Sequence, residues 1–381
     1  MNAGQILSIL IAVIIVFTIT AFYWSKAKKE KEKVSPKLYI DAMKSLLAGE
    51  EKVAFQKFKE VARRDPDNLD AFLKLGDLFR KNQKYERALQ IHKELLIRPS
   101  ILPEEKIEIL KSLAEDYSDS GNNHKAISVL QEIYQENEKD RWVALRLLTE
   151  YEKTSKWEEA FDLRKKITDS NGGENNRILA LYKVFWGKDR ADAGELHKAR
   201  VAYKEALNYD ENCIPAYLYL GDAYYEDGRL KDAVEHWKKL VETVPEAGYL
   251  VFDRLEKSLF ELGEYGDITE IYENLLSHNP KNETALFYLA RINEKKGNVE
   301  TAMDQYRQIL DIDPNYSAAQ LSLAMLHLTS GHQEEGMDLL ENLTQGFAPI
   351  RKEFTCQRCG HKSTEPLWKC PSCQEWNSYE I

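Results

Sequence analysis

Residues 214–245 read IPAYLYLGDAYYEDGRLKDAVEHWKKLVETVP, and this stretch decides the fold. It holds two helical segments separated by a short glycine-containing turn. The small residues Gly221 and Ala233 allow two antiparallel helices to cross closely, and Trp237 is large enough to fill the layer between neighbouring units. Because proline cannot continue a helix, Pro245 ends the second segment. The stretch therefore predicts a helical hairpin.

The same pattern recurs along most of the chain with a period of about 34 residues. One hairpin cannot bury its apolar face alone, so we expect a stack of hairpins that forms a superhelix with a concave groove. The pattern resembles the tetratricopeptide family over about residues 35 to 345, in about nine units, which implies peptide or protein binding. Marker residues of the other units are Ala54, Phe58 and Pro66; Gly76 and Ala88; Leu113, Ala114, Tyr117, Gly121 and Ala126; Tyr151 and Ala160; Ala199, Tyr203 and Ala206; Gly263, Tyr272, Leu275 and Pro280; Leu286, Leu289, Ala290, Gly297, Ala302, Tyr306, Ile309 and Pro314; and Leu323, Ala324, Gly331 and Gly336.

Two stretches interrupt the period. Residues 99–103 and 170–176 are rich in Pro, Gly or Asn and predict longer connections between units. Most aromatic and leucine markers are expected to lie in the core. As candidate groove residues we take Arg146, Tyr182 and Asn293, which are polar or aromatic and break the packing pattern of the first helices.

The N-terminus predicts a membrane anchor. From Ile6 to Trp24 the chain carries no charge, and these nineteen residues span roughly 28 Å as a helix, close to the thickness of a bilayer core. A cleaved signal peptide needs a basic residue before its apolar run, and none is present. Five lysines follow the run instead, which predicts a periplasmic N-terminus and a cytoplasmic chain beyond it. These lysines are Lys26, Lys28, Lys29, Lys31 and Lys33.

Composition and charge exclude several functions. With 381 residues the chain is too long for one compact domain, and 18 glycines and 11 prolines favour helix nearly throughout. A formal net charge of −10 gives no broad basic surface for phosphate backbones, so nucleic acid is not expected as a partner. No Gly-rich phosphate loop, His-Glu-x-x-His sequence or nucleophile elbow occurs, and the eight histidines are scattered. The chain is therefore predicted not to be an enzyme.

Four of the five cysteines lie in the last 26 residues. Cys356 and Cys359 form one Cys-x-x-Cys pair, and Cys370 and Cys373 form a second one ten residues later. Such pairs aim four thiolates at the corners of a tetrahedron, so all four are predicted to bind one metal ion, iron or zinc. The alternatives are two disulfides, which a reducing cytoplasm disfavours, and four unrelated buried thiols. The fifth cysteine, Cys213, is expected to be a packed or idle thiol.

A closed shell of four thiolates leaves no position for substrate, so a structural or redox-sensing role is predicted for this site. We expect Trp368 and Trp376 to shield it and His361 not to be a ligand. A domain this small has little core of its own, so metal binding should supply its stability. We expect the domain to dock on the last repeat.

These features predict an all-α fold: a tetratricopeptide-repeat superhelix with one N-terminal transmembrane helix and a small C-terminal rubredoxin-like or zinc-ribbon knuckle. The predicted parts are an anchor at residues 1–25, a basic linker at 26–34, repeats at 35–348 and the four-cysteine domain at 349–381. This order of parts resembles the bacterial lipopolysaccharide assembly protein B family, LapB. The resemblance assigns the family's metal ligands to the same four cysteines. The separation between the two pairs is shorter than in free rubredoxins, which leaves iron and zinc open.

The resemblance implies a regulator of lipopolysaccharide synthesis at the bacterial inner membrane. Members of the family are thought to help the membrane protease FtsH degrade LpxC, the deacetylase that commits precursor to lipid A, and to gather lipopolysaccharide-making enzymes. Two other functions stay open: a general scaffold for another inner-membrane complex, and an electron carrier in an oxidoreductase. A visible iron–thiolate absorption band would favour the electron carrier.

Overall fold

A computed structural model describes residues 18–20, 36–99, 101–167, 172–345 and 353–380. The predicted anchor at 1–25 and linker at 26–34 lie outside these residues, apart from 18–20. Among the helices that are described, none combines the length and the apolar character needed to cross a bilayer. The chain divides into two units, residues 1–156 and 157–381.

In the first unit, consecutive helices pack in pairs. Its buried side chains are mainly Ala, Leu, Ile and Val on the facing sides of these helices. The helices are α1 (Pro36–Leu47), α2 (Glu51–Arg64), α3 (Leu69–Lys81), α4 (Tyr85–Leu96), α5 (Pro103–Asp119), α6 (Asn123–Glu136) and α7 (Arg141–Lys153).

The second unit continues the helical pattern and ends in a small domain with a two-stranded antiparallel sheet. Its helices are α8 (Trp157–Ile167), α9 (Gly173–Asp192), α10 (Leu196–Tyr209), α11 (Ile214–Glu226), α12 (Leu230–Thr243), a 3₁₀ helix (Pro245–Leu250), α13 (Phe252–Leu262), α14 (Tyr265–His278), α15 (Glu283–Lys295), α16 (Val299–Ile312), α17 (Ser317–Thr329) and α18 (Gln333–Gln345); its strands are β1 (Phe354–Thr355) and β2 (Lys362–Ser363).

The helix ends follow the sequence signals. Helices α12, α14 and α16 each end two residues before a proline, as Pro245, Pro280 and Pro314 predict. The first of the two predicted long connections lies between α4 and α5, as expected. The second falls partly outside the described residues, and α9 already begins at Gly173 within the predicted stretch. Within the hairpin formed by α11 and α12, Gly228 adopts a φ of 71°, which an L side chain rarely adopts.

Close helix crossing is visible where a glycine of a first helix faces a large ring of the second. A Cβ added to Gly221 would lie 2.2 Å from Nε1 of Trp237, whose ring is buried. The Trp237 Nε1 also donates to the carbonyl of Leu218, 3.3 Å away. The same arrangement pairs Gly76 with His92 and Gly187 with Tyr203.

We expect Gly221→Ala to destabilise the second unit by about 1–3 kcal/mol, because the fixed Trp237 ring cannot make room for a methyl group. The matched control is Gly266→Ala in α14, where nothing lies within 4 Å of the added Cβ. That change should stabilise by up to about 1 kcal/mol through helix propensity. Urea unfolding of both variants measures the difference, and equal midpoints would contradict the close crossing.

Candidate metal centre

Two short loops of the C-terminal domain carry the four cysteines. The first knuckle, residues 356–359, follows β1 and is closed by β2, which pairs with β1. Gly360 directly follows this knuckle and adopts a φ of 74°. The second knuckle, residues 370–373, is closed by a bridge between Lys369 and Trp376. A further bridge between Cys356 and Tyr379 brings the end of the domain beside the first knuckle.

The four sulfur atoms lie within 4.8 Å of one another. The Sγ atoms of Cys356 and Cys373 are 3.7 Å apart, and those of Cys359 and Cys370 are 3.6 Å apart. A tetrahedral ion with metal–sulfur bonds of about 2.3 Å needs sulfurs about 3.8 Å apart. The arrangement therefore fits one tetrahedral ion.

Hydrogen bonds favour the thiolate form of two of the cysteines. The Ser378 hydroxyl, with backbone N–H groups of the first knuckle, lowers the pKa of Cys356 to about 6. Burial alone would raise the pKa of Cys370, but the N–H of Cys373 and the Tyr379 hydroxyl lower it. A thiolate is the form that binds a metal ion.

The pKa of Cys373 moves in the opposite direction. The N–H of Glu375 favours its thiolate, but burial and the three neighbouring cysteines raise the pKa to about 12. Four sulfurs this close repel one another when all are ionised. A bound cation would remove this repulsion.

The remaining cysteine and the nearby histidine lie outside this cluster. Cys213 is 3% exposed at the beginning of α11, and burial raises its pKa to about 12, as expected for an inert packed thiol. Nδ1 of His361 lies 2.7 Å from the Tyr379 hydroxyl. The histidine is thus engaged with a tyrosine beside the sulfurs.

The expectation that Trp368 and Trp376 shield the sulfurs is wrong. Trp368 is buried in the core of the repeats, and the Trp376 ring packs against Tyr182 at 5.5 Å and Phe185 at 5.6 Å between centroids. The apolar cover of the cysteines instead consists of Phe354 and Tyr379, with Leu367 and Tyr249 partly buried against them.

The expected docking on the last repeat is also wrong. Tyr182 and Phe185 belong to α9, and Tyr249 belongs to the 3₁₀ helix, so the domain packs on earlier hairpins of the second unit rather than on α17 and α18. Aromatic residues on α9 provide the partner surface for Trp376. The sequence gives no signal for this pairing, because it joins residues almost two hundred positions apart.

The candidate groove residues have mixed outcomes. Tyr182 is fully buried, stacks on Trp157 and makes an edge-to-face contact with Trp376, so it is a packing residue. Arg146 lies 3.5 Å from the Ser118 hydroxyl, and Asn293 donates to Gln305 at 3.0 Å. The last two remain candidates for partner contacts.

Trp376→Ala should loosen the docked domain while leaving its cysteines untouched. Losing two aromatic contacts of a half-buried ring is expected to weaken docking by about 2 kcal/mol. Hydrogen exchange of residues 354–380 should then become faster at an unchanged metal content. The matched control is Trp142→Ala, a 40% exposed tryptophan of the first unit. Unchanged exchange in the Trp376 variant would contradict the docking contact.

Comparison with known proteins agrees with the two kinds of structure described above. Models of the tetratricopeptide repeat match residues 53–100, 186–247 and 257–317, and the rubredoxin metal binding domain matches residues 354–380. The chain is therefore a tetratricopeptide-repeat protein with a C-terminal domain of the rubredoxin metal-binding type.

Relatives that match about nine tenths of the chain make the likeness more specific. Lipopolysaccharide assembly protein B of Escherichia coli strain K12 is 22% identical over 343 residues, 89% of this chain and 88% of that protein. The protein of the same name from Haemophilus influenzae is 25% identical over 365 residues, 92% of each chain. A TPR repeat-containing protein of Bacillus subtilis, YpiA, is 30% identical over 119 residues, 31% of this chain and 28% of that protein. The predicted resemblance to the lipopolysaccharide assembly protein B family is confirmed.

Proposed function

We propose that this chain is a membrane-anchored adaptor on the cytoplasmic face of the bacterial inner membrane, where it regulates lipopolysaccharide synthesis by binding other proteins and catalyses no reaction itself. The observation that carries the proposal is the likeness to lipopolysaccharide assembly protein B along about nine tenths of the chain. Stacked helical hairpins support it, because they provide extended surfaces for protein partners.

The proposed partners are the membrane protease FtsH and the deacetylase LpxC, together with other enzymes of lipopolysaccharide synthesis. The adaptor would present LpxC to the protease and so limit the supply of lipid A precursor. The resemblance to the LapB family supports this choice of partners.

Tethering would be the physical contribution of the N-terminal segment. The uncharged run at residues 6–24, followed by lysines, supports an anchor with the repeats inside the cell. An anchor keeps the repeats close to a membrane-bound protease and raises the effective concentration of the two proteins. A modest affinity of the repeats for LpxC would then be enough to select it for degradation.

The proposed ligands of the metal ion are Cys356, Cys359, Cys370 and Cys373. Their sulfur positions support one tetrahedral ion, zinc or iron. With four protein ligands the ion has a structural task, which is to hold the two knuckles together and thereby present Trp368 and Trp376 to the repeats.

The lifetime of LpxC tests the proposed function. In the bacterium that produces this chain, removing the protein should lengthen the half-life of LpxC after protein synthesis is stopped, and the full chain should restore rapid loss. Residues 26–381 alone should restore it poorly. An unchanged half-life on removal would reject the proposed client, and full restoration by residues 26–381 would reject tethering.

A further inference from the structure

We propose that His361, Ser378 and Tyr379 form an outer shell of the metal centre, in which the two hydroxyl groups donate hydrogen bonds to ligand sulfurs and His361 orients the tyrosine. This inference rests on the proposed metal site. The position of each of these three residues is fixed within the C-terminal domain, either by a backbone hydrogen bond or bridge or by a side-chain hydrogen bond.

Ser378 is positioned against the first knuckle. Its Oγ lies 3.1 Å from Sγ of Cys356, and its carbonyl accepts a hydrogen bond from the backbone N–H of Gln357 at 2.7 Å. A metal-bound cysteine has no S–H proton, so the hydroxyl must be the donor in the loaded site. The other acceptor within reach of this hydroxyl is the carbonyl of Glu375, which is uncharged and farther away at 3.4 Å. The charged sulfur is the better acceptor.

Tyr379 is positioned against the second knuckle in the same way. Its hydroxyl lies 3.7 Å from Sγ of Cys370, and its side chain is buried beside that cysteine. The bridge between Cys356 and Tyr379 fixes the backbone that carries it. One sulfur of each knuckle therefore receives a hydroxyl from the last residues of the domain.

His361 decides where the tyrosine proton points. The Tyr379 hydroxyl has one proton and two neighbours, Nδ1 of His361 at 2.7 Å and the sulfur of Cys370. If Nδ1 accepted that proton, the sulfur would receive none. When His361 carries its proton on Nδ1, it donates to the tyrosine oxygen and leaves the O–H for the sulfur. A metal-bound thiolate favours this second arrangement, which makes His361 a positioning residue.

Hydrogen bonds of this kind reduce the negative charge on the sulfur atoms. Outer-shell partners of metal ligands typically contribute about 10- to 100-fold to metal affinity. They also tune the electronic properties of metal–thiolate centres, including the reduction potential where the metal is iron. Ser378 and Tyr379 are therefore expected to affect both the retention of the ion and its spectrum.

The test uses the full chain loaded with Zn²⁺ or with Co²⁺ as a spectroscopic probe. We expect Tyr379→Phe, which keeps the ring, to lower Zn²⁺ affinity about 10- to 100-fold in competition with a chromophoric chelator. The cobalt–thiolate charge-transfer band should move to longer wavelength, because the sulfur lone pairs rise in energy. Ser378→Ala should act in the same direction. Thr364→Ala, an exposed hydroxyl of the same domain, is the control and should change neither quantity.

A double-mutant cycle tests the role of His361. His361→Ala alone should shift the band in the same direction as Tyr379→Phe, and adding it to Tyr379→Phe should have little further effect. If Tyr379→Phe and Ser378→Ala match Thr364→Ala in both affinity and band position, the outer shell is wrong. If the unaltered chain binds no Zn²⁺, the proposed metal site itself fails and the outer shell falls with it.

Discussion

Replacing Cys356 and Cys370 together by serine is expected to remove the metal ion and unfold the C-terminal domain. These two cysteines are buried and contribute one sulfur to each knuckle. A structural four-thiolate site typically supplies about 10–16 kcal/mol to the folding of a small domain. In this chain the domain's own core is formed by few residues, so little would hold it together without the ion. Metal content by atomic emission and hydrogen exchange of residues 354–380 measure the two losses.

Removal of the ion by a strong chelator should have the same consequence as the double substitution. Trp368 precedes the second knuckle in the sequence and Trp376 follows it. Loss of the folded knuckle should therefore also release both rings from the repeats. Their fluorescence should then move toward that of exposed tryptophan. The control is Cys213→Ala, which removes the one cysteine outside the cluster and should keep one ion per chain. A double variant that keeps its metal would contradict the ligand assignment.

The second large effect is expected in the first unit, at Asp116. This carboxylate is fully buried on α5 and accepts hydrogen bonds from Arg80 of α3 at 3.0 Å and from Nδ1 of His92 of α4 at 2.6 Å. Asp116→Ala leaves Nδ1 of the buried imidazole without its acceptor, so that His92 keeps only the Leu73 carbonyl, 3.3 Å from Nε2, and it removes the most deeply buried of the carboxylates that pair with Arg80. Removing one partner of a buried charged pair typically costs about 3–5 kcal/mol.

Urea unfolding of the Asp116→Ala chain, followed by hydrogen exchange within α3, α4 and α5, measures this loss. Asp119→Ala is the matched control, since Asp119 lies on the same helix and pairs with Arg80 at 3.4 Å but is 45% exposed. Its removal should cost less than about 1 kcal/mol. If the two variants unfold at the same urea concentration, the buried network does not link these helices.

The hydrogen bonds of Asp116 join two hairpins and are not predictable from the repeat pattern. His92 lies opposite Gly76, at the place where Tyr203 and Trp237 lie opposite Gly187 and Gly221 in their own hairpins. A histidine there requires a polar partner, but its partner lies on the next hairpin. The repeat period and the residue type identify the place of His92 in its hairpin. Its hydrogen bond to Asp116 depends on how neighbouring hairpins stack.

The helical architecture was predictable because its signals are local. These signals are the prolines that end helices, the small residues where two helices cross and the turn at Gly228, and each acts within a few residues of the chain. Helices α11 and α12 accordingly lie where the stretch at 214–245 predicts them. The four cysteines were predictable for the same reason, since each pair is separated by only two residues. The close approach of the two pairs agrees with that expectation.

The docking of the C-terminal domain was not predictable from such local signals. Trp376 meets Tyr182 and Phe185 across a long separation in sequence, and an exposed face on a small metal domain does not specify which hairpin covers it. The same limit explains Tyr182, which the sequence predicts to be a groove residue because it breaks the packing pattern of the first helices. Its side chain breaks the pattern because it packs against two tryptophans.

The most direct test of the adaptor function is the recovery of partners from membranes. The full chain would be crosslinked in living cells, purified from solubilised membranes and its bound proteins identified by mass spectrometry. FtsH and LpxC are expected to be recovered together, and a chain lacking the hairpins at residues 36–345 is expected to recover no LpxC. Recovery of a different inner-membrane complex, with neither FtsH nor LpxC present, would contradict it.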